Sequence, residues 1–335
     1  LDCGARLKGE ELYPDYEQLL YEMNDYSELD LIFISHAHYD HIGSVARIAS
    51  LAPNAEIITT EATKRLIYAQ LLEFGRISGR RESDGIKNER YRKAQLLMER
   101  IRTKPVMQPF VRHGCKFTMM PAGHMPGAVM VYMETQQRNL LYTGDFSLTS
   151  MFGINEMKLM EDIHPDVLLM NMPNAYQEKE VWDWVISGEN IWKPKSSYNG
   201  LKEVIRKQLQ RGNKIYLTSR SIPKHLDLFF FLQVFFPEVP VYLEEKSQKV
   251  ADILSEMGYQ VYGPNIHIAE TISGKSHIIV GQEENREGCV AVLFDQYSLH
   301  ASVSEALMLI RKLAPETFYL LHAHPAEGKL SPEYA

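Results

Sequence analysis

Between Ser35 and His41 the chain reads Ser-His-Ala-His-Tyr-Asp-His, which gathers three imidazoles, His36, His38 and His41, with the carboxylate of Asp40. Imidazole nitrogen and carboxylate oxygen are the ligands that zinc and similar borderline ions prefer. Packing gives no reason to collect basic and acidic groups at one point, because a buried polar group costs free energy unless it is partnered. The expectation is therefore a metal site. Two more residues of ligand type stand alone farther along: His124, in Gly123-His124-Met125-Pro126-Gly127-Ala128, and Asp145, in Thr143-Gly144-Asp145-Phe146. Each taken singly is as readily structural as functional.

The elements that must position these residues alternate between short apolar runs and longer helical patterns, the mark of an α/β protein. Leu29 to Ser35 reads as a buried strand that delivers the histidine cluster at its end. A helix is expected from Ile42 to Leu51 and a strand from Glu56 to Thr60. A long polar helical region follows from Thr63 to about Arg102, broken near Gly79 and Gly85. Strands resume at Lys116–Pro121, Ala128–Met133, Asn139–Thr143 and Val167–Met170. From about Ala175 a second alternating set begins: helix Leu201–Gln210, strand Lys214–Leu217, helix Lys224–Phe235, strand Val239–Leu243 and helix Gln248–Met257. These read as βαβ units of an inserted domain. Strand Val290–Phe294, helix Val303–Leu313 and strand Thr317–Leu321 then close the chain's pattern.

Length and charge narrow the classes. At 335 residues, 45% of them apolar, the chain can build two compact units or one large one. Its longest apolar patch, Leu228 to Phe236, is interrupted by Gln233 and is far shorter than the ~18 residues that a membrane span needs. The formal net charge of −7 gives no global attraction to nucleic acid, so any such site must be local. The densest basic stretch, Arg76 to Lys104, is interleaved with Glu82, Asp84, Glu89 and Glu99 and reads as a solvated helix face. Cys3, Cys115 and Cys289 have no metal-binding or disulfide spacing, which fits a soluble protein of a reducing cytoplasm.

The pattern His36-x-His38-x-Asp40-His41 resembles the signature of metallo-β-lactamase-fold hydrolases, and the family's other motifs follow in order. Leu1-Asp2-Cys3-Gly4 is similar to the first, where the aspartate supports the metal-bound histidines from behind. The segments around His124 and Asp145 resemble the third and fourth. Tyr297-Ser298-Leu299-His300-Ala301 and Tyr319-Leu320-Leu321-His322-Ala323 resemble two motifs of the β-CASP nucleases, the branch that includes ribonuclease J and the pre-mRNA 3′-end-processing endonuclease. The resemblance implies an α/β fold: a metallo-β-lactamase αββα sandwich formed by residues 1–174 and 289–335, with a smaller α/β β-CASP cap inserted at 175–288. The strands that should precede Leu1 are absent. Leu1 itself reads as lying within a strand, without an initiator methionine.

The same resemblance implies the site. His36, His38 and His124 would hold one metal, Asp40, His41 and His322 the other, and Asp145 would bridge the two ions, zinc or in its place manganese. The reaction would be hydrolysis of an RNA phosphodiester, with His300 as general acid and Ser298 and Arg220 on the phosphates. A histidine at 322 goes with the family's RNA-cleaving members. One position departs from the pattern: Asn171 stands where the family has a carboxylate beside the general acid, so the expectation is a less protonated His300 and a rate that rises on Asn171→Asp. The competing readings are a non-catalytic subunit of an RNA-processing complex, a DNA nuclease and a small-molecule metallo-hydrolase. A homodimer or an RNA-processing complex is the expected assembly, with no membrane partner.

Overall fold

The computed structural model describes residues 1–8, 10–12, 14–77, 84–148, 157–172, 198–219, 222–256, 258–268, 276–281, 283, 285–294, 300–301 and 303–321. The chain divides into two compact units. One comprises Leu1–Thr149, Glu156–Ser187 and His300–Ala335, and the other Ser150–Asn155 and Gly188–Leu299.

In the first unit, β1 (Arg6–Lys8) and β2 (Glu10–Leu12) pair as a short antiparallel ribbon. The strands β3 (Leu31–Phe33), β4 (Glu56–Thr59) and β5 (Ile101–Thr103) form a parallel sheet in that order. Parallel neighbours need crossovers. Here α1 (Tyr39–Ile42) and α2 (Val45–Leu51) supply the first, and α3 (Glu61–Ile77) and α4 (Asp84–Arg100) the second. A second sheet begins with β6 (Phe110–Arg112), β7 (Cys115–Pro121), β8 (Val129–Glu134) and β9 (Asn139–Tyr142), all antiparallel, and adds β10 (Val167–Asn171) parallel to β9. The two sheets close on one apolar layer. Phe33 and Ile58 from the first meet Phe117, Met119, Val129 and Val131 from the second, and the Phe33 and Phe117 rings lie 4.9 Å apart.

Among the described residues the second unit's sheet is wholly parallel. Between α5 (Tyr198–Gln210), β11 (Ile215–Thr218), α6 (Ile222–Phe235), β12 (Val241–Leu243) and α7 (Glu245–Glu256) the alternation is that of repeated βαβ units. Two further strands, β13 (Ile266–Ile268) and β14 (Ile278–Gly281), join with β15 (Val290–Leu293) to give the order β13-β12-β14-β11-β15. The chain then returns through α8 (Val303–Leu313) to β16 (Thr317–Leu321), which pairs parallel with β10 and completes the six-stranded sheet β16-β10-β9-β8-β7-β6.

Several expectations need correction. β15 was read as part of the catalytic core resuming at 289, yet its register Ile215↔Val290 puts it in the second unit's sheet. Strand propensity does not say which sheet a strand joins. Residues 1–5 form no strand, although Asp2 N donates to Phe33 O at 2.8 Å and Cys3 N to His41 O at 2.8 Å. The helical region is two helices, α3 ending at Ile77 and α4 starting at Asp84 with Gly85 as its second residue, and it stops before Arg102, which lies on β5. Nor is Arg100 part of a solvated face. Its guanidinium donates to the carbonyl of Ala49, which the last turn of α2 leaves open, and to those of Ala52, Pro53 and Ala55 just beyond the helix.

Ile58 is fully buried where the two sheets meet. Ile58→Ala removes apolar contact and leaves a cavity, at a cost of about 2–5 kcal/mol. Urea unfolding followed by circular dichroism should show the midpoint falling with an unchanged slope.

Candidate metal centre

The chemistry-bearing residues sit where strands end. His36 and His38 follow β3, His124 lies in the loop that follows β7, and Asp145 follows β9 by three residues. The Gly123–Gly127 loop is closed by Ala122 N on Ala128 O and Ala128 N on Met125 O, each at 3.0 Å. Thr60 and Thr63 hydroxyls hold the Gly127 carbonyl at 2.8 and 2.9 Å. Gly144 has φ +53°, and a Cβ there would stand 2.6 Å from Ser35 Cβ. Only glycine lets the loop carrying Asp145 come so close to the loop carrying His36.

Four of the expected ligands converge. Ligand atoms of His36, His38, His124 and Asp145 all lie within 4.8 Å of one another. His38 Nδ1 is 3.1 Å from both His36 Nε2 and His124 Nε2. Asp145 Oδ2 is 3.6 Å from His36 Nε2 and 3.7 Å from His124 Nε2. Ligand atoms about 2.0–2.1 Å from a tetrahedral zinc lie roughly 3.3 Å apart, so three nitrogens and one oxygen at these spacings fit such an ion in chemistry and in size. His41 Nε2 approaches the same Asp145 oxygen at 3.5 Å and His300 Nε2 at 3.0 Å. A second grouping joins Asp2, His36 and His41.

Asp2 anchors this arrangement from behind. Its Oδ2 accepts from Ser35 Oγ at 2.6 Å, His41 Nδ1 at 2.7 Å and Tyr142 OH at 2.6 Å, and its Oδ1 accepts from Ser35 N at 2.7 Å. Because the Ser35 hydroxyl gives its one proton to Asp2, it can only accept from His36 Nδ1, 2.8 Å away. That fixes the His36 tautomer and leaves the Nε2 lone pair facing the cluster.

Burial and charge then sort the groups. Burial drives His36 well below its ordinary pKa, reinforced by the neighbouring His41 charge. It takes His38 down to about 4, against the opposing pull of Asp40 and Asp145. His41 goes the other way: burial depresses it, but Asp145 and Asp2 outweigh burial and hold it well above 6.5. Asp2 is pushed up by burial, yet the His41 charge and the donors from His41, Ser35 and Tyr142 keep it below the usual carboxylate value. Neutral His36 and His38 are in the state that metal binding requires.

The remaining expected residues fare differently. Asp40 is exposed on the first turn of α1 and belongs to neither grouping, although its charge acts on His38. His322, Arg220 and Ser298 lie outside the described residues. Asn171 ends β10 and is buried, but its amide goes to Asp145 Oδ1 and to Tyr142 OH, each at 3.2 Å. The carboxylate bonded to His300 is Asp145. Ser35 and Tyr142 were not singled out from sequence. A tyrosine at the inner end of a buried strand carries one usable signal, since its hydroxyl must find a partner.

Residues 17–167 match the metallo-β-lactamase superfamily. The chain is 23% identical over 258 residues to the protein named Probable RNase MJ4 of Methanocaldococcus jannaschii, covering 76% of this chain and 55% of that one. Cleavage and polyadenylation specificity factor 73 of Drosophila melanogaster is 26% identical over 251 residues, 72% of this chain and 34% of that one. Endoribonuclease YSH1 of Yarrowia lipolytica is 30% identical over 152 residues, 44% of this chain and 18% of that one. The chain thus spans about half the length of the first of these relatives and less of the other two.

The lowered His38 value carries a pH signature in chelator-treated protein. An unfolded His38 takes up a proton as pH falls through about 6.5, while the folded one resists until about 4. Acidification across that window therefore favours the unfolded state, and the stability contributed above it is lost. Urea midpoints of the wild type should fall between pH 6.5 and 4, and those of His38→Gln should fall less.

Proposed function

Because this chain carries a metallo-β-lactamase-superfamily domain and has ribonucleases among its relatives, we propose that it is a metal-dependent phosphodiesterase that cleaves RNA. The observation that carries the reading is the convergence of His36, His38, His124 and Asp145, with His300 bonded to the same aspartate. His36, His38 and His124 would hold one ion. His41 would serve a second, together with Asp40 and His322, and Asp145 would lie between the two. Zinc suits the nitrogen-rich set, with manganese as the substitute. When bound, such ions lower the pKa of a water and stabilise charge on the attacking and leaving oxygens of a phosphate.

The chain's own groups do the rest. Ser35 and Asp2 fix the His36 and His41 rings in orientation through the bonds described. Asp145, buried among imidazoles, keeps their nitrogens turned to one point. His300 is about one-third exposed at its side chain, so its ring can meet both substrate and the buried carboxylate. It is the group that would hand a proton to the leaving 3′ oxygen, giving a 5′-phosphate and a 3′-hydroxyl. Ser298 and Arg220 would contact phosphates, and the second unit would correspond to the inserted β-CASP-like domain. Relatives named for cleavage and polyadenylation and for endoribonuclease activity favour RNA over DNA or a small ester. They also make an RNA-processing assembly the natural setting. Cys3, Cys115 and Cys289 are free thiols, and among the described residues no helix is long and apolar enough to cross a membrane. Both are compatible with the cytoplasm.

Metal-loaded protein incubated with end-labelled single-stranded RNA and DNA of one sequence should cut the RNA faster, and elemental analysis should find two transition-metal ions per chain. Equal rates, a preference for DNA, or protein without metal would count against the reading. His300→Ala should lower the RNA rate by about 10²–10⁴-fold with metal content unchanged, which separates proton donation from metal holding.

A further inference from the structure

Behind the proposed metal ligands runs a chain of hydrogen bonds whose donors and acceptors balance in one direction only. Tyr142 OH has one proton, and it goes to Asp2 Oδ2 at 2.6 Å. Toward Asn171, 3.2 Å away, the phenol oxygen is therefore an acceptor. Asp145 Oδ1, also 3.2 Å from Asn171 Nδ2, is an acceptor as well. Only a group with two hydrogens on one atom serves both, and the Asn171 amide nitrogen is such a group. Asn171, Tyr142 and Asp145 are all buried, so an unmatched donor or acceptor here would carry the full cost of desolvation.

From this geometry we propose that Asn171 and Tyr142 are positioning residues that clamp the two carboxylates of the centre. Asn171 holds Asp145 by its Oδ1 and leaves Oδ2 toward His36, His41, His124 and His300. Tyr142 holds Asp2, which orients His41 and, through Ser35, His36. One amide thereby ties together the supports of both groupings of ligands. The backbone keeps it in place: Asn171 N donates to Thr143 Oγ1 at 3.1 Å, and Thr143 N to Leu169 O at 2.9 Å.

The clamp reverses the expectation drawn from sequence for this position. A carboxylate at 171 has no hydrogen to give. It would face the Asp145 oxygen and the phenol oxygen as a third acceptor, adding a like charge to a buried site. Asn171→Asp should therefore loosen the centre instead of improving it.

The inference rests on the metal-centre reading, so its test has one arm that needs metal and one that does not. In the first, zinc is titrated against graded chelators for the wild type, Asn171→Leu, Asn171→Asp and Tyr142→Phe. Loss of such supporting contacts typically weakens metal binding 10–100-fold. We expect at least a tenfold loss for Asn171→Leu and Tyr142→Phe and a larger one for Asn171→Asp. In the second arm, metal-free protein is unfolded in urea as a double-mutant cycle of Asn171→Leu with Asp145→Asn, and the midpoints should be non-additive. Variants that keep wild-type zinc affinity, or an Asn171→Asp that binds more tightly, would overturn the proposal, and so would an additive cycle. Tyr142→Phe, which removes a single oxygen, keeps the first arm decisive if a change at 171 prevents folding. Wild-type protein that takes up no zinc would instead overturn the metal-centre reading, and the urea cycle alone would then decide the clamp.

Discussion

Two carboxylates, Asp2 and Asp145, stand nearly or wholly out of water in the first unit, and an ion removed from water costs several kcal/mol unless charge and donors compensate it. Much of the local structure can be read as that compensation. Asp145 has three imidazole nitrogens within 3.7 Å of one oxygen and a fourth at 3.0 Å, with an amide on the other oxygen. Asp2 has a backbone amide, a serine hydroxyl, a phenol and an imidazole. Removing any one donor leaves a buried acceptor short, so these side chains form one unit in which few replacements are neutral.

The sandwich makes this possible by ending several strands at one place. The strand β9 pairs parallel with β10, and Leu169 lies opposite Tyr142, so Asn171 arrives two residues beyond, beside the loop that carries Asp145. The loop after β3 is joined to the second sheet by Val129 N on Ser35 O at 2.9 Å. The inter-sheet layer of Phe33, Ile58, Phe117 and Val129 lies behind these ends. Apolar packing thus supplies a rigid base, while glycine at 144 supplies the close approach that a side chain would block.

The centre also shows how protonation states are divided among like residues. His36, His38 and His41 lie within six positions, yet burial leaves the first two neutral while two carboxylates keep the third charged. Neutral His36 and His38 offer an ion the lone pairs it needs, whereas His41 would have to release its proton before it could hold the second ion. This division follows from position in the fold and not from residue type.

What the sequence by itself determined was local and periodic. The cluster His36-x-His38-x-Asp40-His41 declared metal chemistry by ligand type and spacing, and apolar runs located β3, β4, β7, β8, β9, β10 and β16 to within a few residues. The second alternating set beyond Ala175 was legible for the same reason. The short strands β5, β6, β13 and β14 were not, because so few residues leave too little periodicity to read. Only the tertiary structure decided that β15 joins the second unit's sheet, that Arg100 closes α2, and that Asp40 stays at the surface. The role of Asn171 belongs with these. Sequence showed a missing charge, but which acceptors its amide meets depends on the register of β9 with β10 and on where the Tyr142 proton goes. Hydrogen-bond direction is set by neighbours distant in the chain, and no local pattern encodes it.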